Sequence, residues 1–314
     1  MPSKKRRYKV DLVIPVYNEA GVVETIHEQI RGVIDRLPHD FRFIYVDDGS
    51  DDGTAESLQS VKQADRRVTV LTLSTNFGHQ AALTAGLDHA AGDIVISMDG
   101  DGQHPPEMII QMIDLIHQGY DIVQAQRVTE ARASFFKKWT SDVFYKILNT
   151  ISGTQLVSGA ADFRALNRQA VDALKAMPEY HRFLRGMISW MGYRSAILPY
   201  HQPARMAGRS KYSLGKMFRL ASDAIFSFSL IPLYIGLSSG LFFFALAAVQ
   251  LVYVFGLWFT DNTERVVPGW SSLMAVMLIA SGIIMILLGF IGVYVGYIFQ
   301  EVKRRPVYLL KKGE

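Results

Sequence analysis

The sequence predicts an α/β protein with a mostly parallel, doubly wound sheet, followed by a transmembrane helical hairpin. Short β-branched apolar runs alternate with stretches of helical periodicity between Val10 and Gln126, which is typical of a parallel sheet. Acidic and amide residues follow the apolar runs, where open α/β sheets place their ligands. Charged residues are absent from Ala224–Thr260 and from Val266–Gln300, and each stretch exceeds the roughly 20 residues that span a bilayer.

Composition narrows the class of protein and its partners. The chain has 314 residues, enough for one sizeable α/β domain and a further segment, and it contains no cysteine. Disulfides and thiolate metal sites are therefore excluded. The net charge of +4 suits nucleic acid, anionic lipid or a phosphorylated substrate. No nucleic-acid-binding motif is found, so we expect no nucleic-acid partner.

The first predicted strand, Asp11–Val16, is followed by Tyr17, Asn18 and Glu19, and then by an apolar helical stripe from Val22 to Leu37. A strand followed by a helix favours a nucleotide-binding start. No Gly-x-Gly-x-x-Gly sequence lies at this turn, so the dinucleotide fingerprint is absent. An ordinary strand exit with a helix-opening acid explains Tyr17 or Glu19 equally well when either is taken alone.

Polar clusters also follow the next two predicted strands, Phe41–Val46 and Val68–Leu73. The first cluster, from Asp47 to Thr54, lacks the order and the closing glutamate of an EF-hand loop, and helix capping by Ser50, Asp51 and Asp52 accounts for part of it. The second cluster contains Asn76, Gly78 and His79 ahead of a helix predicted over Ala81–Ala91. An Asn-x-Gly turn at a strand exit suits a nearby ligand, but a plain turn capped by His79 fits equally well.

The fourth predicted strand, Ile94–Ile96, leads to Asp99 and Asp101, which one glycine separates. Two carboxylates so close repel each other unless a cation neutralises them, and a divalent cation that also binds phosphate does so well. Gln103 adds a neutral oxygen. The alternative is an Asx-rich turn with solvated acids. A helix at Met108–His117 and a strand at Asp121–Gln126 complete the alternation.

The string Asp99-Gly-Asp-Gly-Gln-His-Pro-Pro-Glu107 resembles the metal-binding segment of family 2 glycosyltransferases. It is most similar to the polyisoprenyl-phosphate branch, which includes dolichyl-phosphate mannose synthases and GtrB-type enzymes. The resemblance runs from Val10 to about Tyr212 and continues in the two-helix tail. It implies a GT-A fold, which is Rossmann-like, a divalent metal cofactor (Mg or Mn), a UDP-sugar donor and a polyprenyl-phosphate acceptor.

The resemblance also assigns site residues. Ser158–Arg164 resembles the second acidic motif of the family, and Arg205–Tyr212 matches its Arg-x-x-Gly-x-Ser-Lys-Tyr loop. The residues expected to act in catalysis are Asp99, Asp101 and Asp162. The expected metal ligands are Asp99, Asp101 and Gln103. The expected contacts of the nucleotide sugar are Pro15, Tyr17, Asn18, Glu19, Asp47, Asp48, Asn76, Gly78, Asp99, Gly100 and Asp101. The expected contacts of the lipid phosphate are Arg127, Arg205, Ser210 and Lys211.

The implied reaction is an inverting transfer of a hexose, glucose by overall resemblance, from a UDP-sugar to undecaprenyl phosphate. Basic residues flank both predicted spans, so the positive-inside rule places both termini and the catalytic domain in the cytoplasm. The predicted segments are a catalytic domain at 1–212, an interfacial amphipathic helix region at 213–229, two transmembrane helices within 230–300 and a basic tail at 301–314. The resemblance further implies a homotetramer.

Three alternatives stay open. A mannose, galactose or aminosugar transferase would need the same motifs. A processive polysaccharide synthase would carry a Gln-x-x-Arg-Trp motif, which this sequence lacks. A membrane-tethered nucleotide-sugar sensor would bind the donor without turnover.

Overall fold

The computed structural model describes residues 7–128, 160–201, 231–259 and 269–311. By its internal contacts the chain divides into two compact units, one of residues 1–224 with 305–314 and the other of residues 225–304. The predicted interfacial region at 213–229 lies outside the described residues.

Among the described residues of the first unit, seven strands form one sheet. They are β1 (Lys9–Val16), β2 (Asp40–Asp47), β3 (Val68–Thr72), β4 (Ile94–Ser97), β5 (Ile122–Arg127), β6 (Ala160–Asn167) and β7 (Ser195–Tyr200). Their order across the sheet is β3-β2-β1-β4-β6-β5-β7. Strand β6 runs antiparallel to β4 and β5, and the other pairs are parallel. The predicted mostly parallel α/β sheet is therefore confirmed.

Helices connect the strands and cover the sheet. They are α1 (Val23–Ile34), α2 (Thr54–Ala64), α3 (His79–His89), α4 (Met108–His117), α5 (Arg168–Lys175) and α6 (Leu184–Trp190). Helix α1 buries Ile26, Ile30 and Ile34, the stripe that its sequence period indicates. Strand β1 is buried from Val10 to Val16, as expected for a parallel strand with helices on both faces.

Two strands, β6 and β7, were not among the predicted elements. Strand β6 has the sequence Ala-Ala-Asp-Phe-Arg-Ala-Leu-Asn, in which Asp162 and Arg164 interrupt the apolar residues. Both charged side chains are nonetheless buried, at 5% and 1% exposure. They pair with each other, and a buried pair of this kind makes an interior strand look polar in the sequence.

The segment after the last helix returns to the edge of this sheet. Leu310 forms an antiparallel bridge with Leu73. The backbone N–H of Ser74 donates to the carbonyl of Leu309 and that of Lys311 to the carbonyl of Thr72, both at 2.8 Å. The chain thereby covers part of the edge at β3, which would otherwise present unpaired backbone groups.

In the described part of the second unit there are two long helices, α7 (Ile231–Phe259) and α8 (Trp270–Lys303). They pack closely where a Cβ on Gly236 would lie 2.4 Å from Leu287 Cδ2. Among the described residues, one segment is long and apolar enough to cross a membrane, Ile279–Lys303, with a mean hydropathy of 2.3. The apolar part of α7 that meets the same hydropathy measure is shorter, Gly236–Leu246.

Candidate active site

The predicted site residues that the structure describes lie at one edge of the sheet because of the strand order. Strand β1 pairs in parallel with β2 and with β4, so the carboxyl ends of these three strands are adjacent. Strand β6 is antiparallel to β4, so its first residues, including Asp162, reach the same edge. Doubly wound sheets bind ligands outside the carboxyl ends of their strands, at the point where the strand order reverses, and we call this position beside β1 and β4 the crevice.

The loop after β1 is clamped to the loop after β2 by Asn18. Its side chain donates to Asp51 Oδ1 at 2.7 Å and accepts from the Asp51 N–H at 3.1 Å. Its backbone φ is 56°, a left-handed conformation that asparagine tolerates better than most residues. Tyr17, the preceding residue, is 37% exposed, and the N–H of Glu19 donates to Thr54 Oγ1 at 2.9 Å. The clamp leaves the Tyr17 ring accessible at the crevice.

Asp47 and Asp48 are both buried, and the structure shows how each is held. Asp47 Oδ1 accepts from the Ser50 N–H at 3.0 Å. Asp48 accepts from the N–H groups of Phe77 at 2.8 Å and Gly78 at 2.9 Å. Burial raises the pKa of Asp48, and these two N–H groups act in the opposite direction. Asp48 thus fixes the position of the loop that contains Asn76 and Gly78.

Asp99 and Asp101 follow β4 as predicted. Asp101 Oδ1 accepts from the Gln103 N–H at 3.1 Å, which is an Asx turn. The Asp99 side chain is 35% exposed, yet its Oδ1 atom is buried and has no hydrogen-bond partner in the described structure. His79 Nε2 lies 3.5 Å from this oxygen, which is longer than a good hydrogen bond. A buried carboxylate oxygen that accepts no hydrogen bond is costly, and it suits a cation. The described residues contain no cluster of three or more His, Cys, Asp or Glu side chains that could hold a metal, so a site here needs Gln103 or a ligand oxygen as well.

The loop of Asp99 and Asp101 packs tightly on β1. A Cβ on Gly100 would lie 2.5 Å from Val16 Cγ1 and 3.2 Å from the carbonyl oxygen of Pro15. This close approach explains why glycine separates the two acids. Pro15 and Gly100 therefore set the distance between the exit of β1 and the candidate metal site at Asp99 and Asp101.

The buried His104 side chain contacts Asp99 and helps to fix its position. The Asp99 N–H donates to His104 Nδ1 at 2.9 Å, and His104 Nε2 lies 3.6 Å from Asp99 Oδ2. The ring stacks on Phe163 with centroids 4.8 Å apart and meets Tyr200 edge-on. His104 is only 5% exposed, and sequence reasoning gave it no role.

Asp162 lies in a group of three cationic side chains that the sequence did not indicate as a cluster. Arg164 donates to Oδ1. Arg185, on α6, donates to Oδ1 at 3.1 Å and to Oδ2 at 2.9 Å, and His79 Nε2 lies 3.4 Å from Oδ2. Burial opposes ionisation, but Arg185 and Arg164 hold the pKa of Asp162 well below its usual range. Asp162 is thus an ionised carboxylate whose lone pairs are already engaged, and it is a poor proton acceptor.

His79 lies between Asp162 and Asp99, which belongs to the candidate metal site. Its Nε2 lies 3.5 Å from Asp99 Oδ1 as well as 3.4 Å from Asp162 Oδ2. Burial lowers the pKa of His79, but the two carboxylates outweigh this effect and raise the pKa to about 9. The ring is therefore cationic at neutral pH. His79 is the first residue of α3, whose N-cap residue is Gly78. Its side chain lies near the two carboxylates, so it is more than the capping turn residue of the alternative.

The predicted lipid-phosphate residues are described only in part. Arg127 ends β5 and is paired in register with Tyr200 of β7, at the same edge of the sheet as Asp99. The Tyr200 pKa rises to about 12, first because of burial and then because of Asp99, while Arg127 lowers it. Arg205, Ser210 and Lys211 lie outside the described residues.

Comparison with known proteins gives a consistent assignment. Residues 11–175 match the family described as "Glycosyl transferase family 2". The chain is 37% identical over 309 residues to the glycosyltransferase YkcC of Bacillus subtilis, covering 98% of this chain and 95% of that protein. It is 34% identical over 308 residues to the bactoprenol glucosyl transferase of Shigella phage SfII, covering 97% and 98% of the two chains. Mannosyl-3-phosphoglycerate synthase from Rubrobacter xylanophilus shares the fold with a TM-score of 0.50 at 18% identity, covering 69% of this chain and 72% of that one.

Proposed function

This chain belongs to glycosyl transferase family 2, and we propose that it transfers a glucosyl group from a UDP-sugar to a polyprenyl phosphate. The observation that carries the proposal is the likeness to bactoprenol glucosyl transferases, which extends over 97% of the chain and includes the long apolar helices. This coverage favours a lipid acceptor over a soluble one. Glucose is favoured over mannose or an aminosugar by the same relatives.

The residues present fit a divalent cation, Mg or Mn, at the edge of β4. Asp99, Asp101 and Gln103 would hold it, and the buried Oδ1 of Asp99 has no other hydrogen-bond partner in the described structure. A cation bound there neutralises charge on the donor diphosphate. Tyr17 would stack on the nucleotide base, and Asn18 and Asp48 would keep the two neighbouring loops in position.

The acceptor phosphate is the nucleophile of the proposed reaction. Its second pKa is about 6, so it is largely dianionic at neutral pH and needs no strong base. One of its oxygens forms a bond to C1 of the sugar, the bond from C1 to the diphosphate oxygen breaks, and the electron pair leaves with UDP. The attack on the face opposite the leaving group inverts the anomeric carbon. The engaged state of Asp162 supports an orienting role for this residue.

Arginine and lysine side chains would hold the acceptor phosphate near the membrane. Arg127 lies at the correct edge of the sheet, and Arg205, Ser210 and Lys211 complete the proposed set by their motif. Arginine binds phosphate through two parallel hydrogen bonds, and lysine supplies a point charge. A polyprenyl phosphate keeps its tail in the bilayer, because exposure costs about 0.8 kcal/mol per CH₂, so these cations must reach the headgroup plane.

We also propose that the chain crosses the inner membrane twice, with both termini in the cytoplasm. Leu310 and Lys311 follow α8, yet they bind the edge of the sheet that precedes α7. A chain returns to the domain that it left only after it has crossed the bilayer an even number of times. The contact therefore supports a second span beside Ile279–Lys303, and we assign that span to α7. The homotetramer stays a prediction.

The test is turnover by the purified full-length chain in nanodiscs that contain undecaprenyl phosphate. We expect UDP release from UDP-glucose that depends on both the lipid and Mg²⁺ or Mn²⁺. Release of UDP from UDP-galactose or UDP-N-acetylglucosamine, and of GDP from GDP-mannose, should be low. Asp101→Asn keeps the shape of the side chain but removes a charge that the cation needs, so its turnover should be nearly abolished with an unchanged melting curve. Lipid-independent hydrolysis, or wild-type turnover by Asp101→Asn, would refute the proposal.

A further inference from the structure

The His79 side chain occupies a position between the two acidic centres of the crevice. Its Nε2 atom is 3.5 Å from Asp99 Oδ1 and 3.4 Å from Asp162 Oδ2. The side chain is 42% exposed, whereas that of Asp162 is only 6% exposed. His79 is therefore accessible to a ligand at this edge of the sheet, and Asp162 is not.

Neighbouring elements hold the ring in this place. Its helix begins directly after Gly78, whose N–H is fixed by Asp48 at 2.9 Å. The next residue, Gln80, accepts from the N–H of Leu184 at 3.3 Å, which docks α6 on α3. Arg185 follows Leu184 and makes two hydrogen bonds to Asp162. Arg185 therefore fixes the Asp162 carboxylate, and Asp162 Oδ2 also lies next to His79.

His79 lies close to a residue of the candidate metal site. Asp99 is one of the residues that would hold the divalent cation, and that cation would supply positive charge to the donor diphosphate. A diphosphate drawn to Asp99 in this way would also come within reach of His79 Nε2, which lies 3.5 Å from Asp99 Oδ1.

We propose that His79 is a catalytic residue that donates a hydrogen bond from Nε2 to the diphosphate of the donor, and that Asp162 and Arg185 are positioning residues for it. This inference rests on the proposed function, because it needs a nucleotide diphosphate in the crevice. When the bond from C1 to the diphosphate oxygen breaks, its electron pair adds negative charge to the diphosphate. A donor aimed at that oxygen gains strength as the charge develops, and so it lowers the barrier.

Three variants test the role of the ring. His79→Ala removes the donor, His79→Gln retains a neutral N–H donor, and His89→Ala is the control on the last turn of the same helix, where His89 contacts the carbonyl of Ala85. We expect His79→Ala to lower kcat about 100-fold, the effect of deleting one oxyanion donor. His79→Gln should retain an intermediate kcat, and His89→Ala should match the wild type. The KM for the lipid acceptor should stay within about twofold.

Binding measurements provide the second readout. In the presence of Mn²⁺, calorimetric titration should show that His79→Ala weakens UDP binding about tenfold, as expected for a hydrogen bond to a charged group. Without nucleotide, Mn²⁺ affinity measured by electron paramagnetic resonance should be unchanged or higher, because the side chain that lies 3.5 Å from Asp99 Oδ1 no longer competes with the ion for that oxygen. Unchanged UDP affinity, a weaker Mn²⁺ site, or a changed KM for lipid with normal UDP binding would each overturn the assignment. Wild-type turnover reports on the proposed function separately, so its failure is distinguishable from failure of this inference.

Discussion

Replacing Asp162 by asparagine tests the buried ionic cluster at the start of β6. The change keeps the shape of the side chain but removes the negative charge that faces Arg164. The Asp162 and Arg164 side chains are 6% and 2% exposed, so solvent cannot screen the arginine that is left behind. Removing one partner of a buried ion pair costs about 3–5 kcal/mol. Arg185 is 26% exposed, so solvent screens its charge and the expected loss of stability rests on Arg164 alone.

This loss of stability is large enough to measure. For a domain of this size, 1 kcal/mol shifts the melting temperature by about 2–4 °C, so Asp162→Asn should melt roughly 6–20 °C below the wild type. The assay is thermal unfolding of the full-length protein in detergent, followed by circular dichroism. The matched control is Asp172→Asn, which breaks an exposed i,i+4 pair with Arg168 and should cost about 0.3–0.5 kcal/mol.

The pH dependence of the same measurement gives an independent check. The pKa of Asp162 is lower in the folded protein than its usual value near 3.9. The carboxylate therefore stabilises the fold fully above about pH 5, and this contribution is lost as the pH falls below about 4 towards the folded pKa. The gap in melting temperature between wild type and Asp162→Asn should be widest near pH 6 and should narrow in acid. It should also narrow as the pH rises towards 9, because Asp162 helps to raise the pKa of His79 to about 9 and that contribution is lost there. A gap below 2 °C at pH 7 would refute the buried pair as the source of stability.

Two further predictions concern the candidate metal site and the membrane topology. Gly100→Ala introduces a methyl group 2.5 Å from Val16 Cγ1; this overpacking should cost about 1–3 kcal/mol and weaken Mn²⁺ binding at least tenfold by electron paramagnetic resonance. The control Gly21→Ala, which has no atom within 4 Å of the added Cβ, should bind Mn²⁺ normally, and equal affinities of the two variants would contradict the packing argument. Asn262→Cys introduces a single thiol into a chain without cysteine, and an impermeant thiol reagent should label it in intact cells. Labelling that needs permeabilised cells would reverse the proposed topology.

The sequence predicted β1 to β5 because their apolar runs are short, β-branched and bounded by turn residues. It also placed Asp99 and Asp101 at a strand exit, since strand and acids are adjacent in the chain. Strand β7 was not predicted because it lies at the edge of the sheet, where Tyr200 is its only buried residue, and because it contains Pro199. The polar sequence of β6 hid a buried strand, because the charges of Asp162 and Arg164 compensate each other only in three dimensions.

By itself, then, the sequence determined the family, the fold class and the local position of each motif, because these follow from residue periodicity and from contiguous strings. Only the tertiary structure decided that His79, Asp162 and Arg185 meet. Their contact depends on β6 entering the sheet antiparallel beside β4 and on α6 docking against α3 through Gln80. Likewise, the return of Leu310 to the edge of β3 leaves no local pattern in the sequence. Contacts between residues far apart in the chain are fixed by strand order and direction, and the spacing of residues along one segment does not encode either.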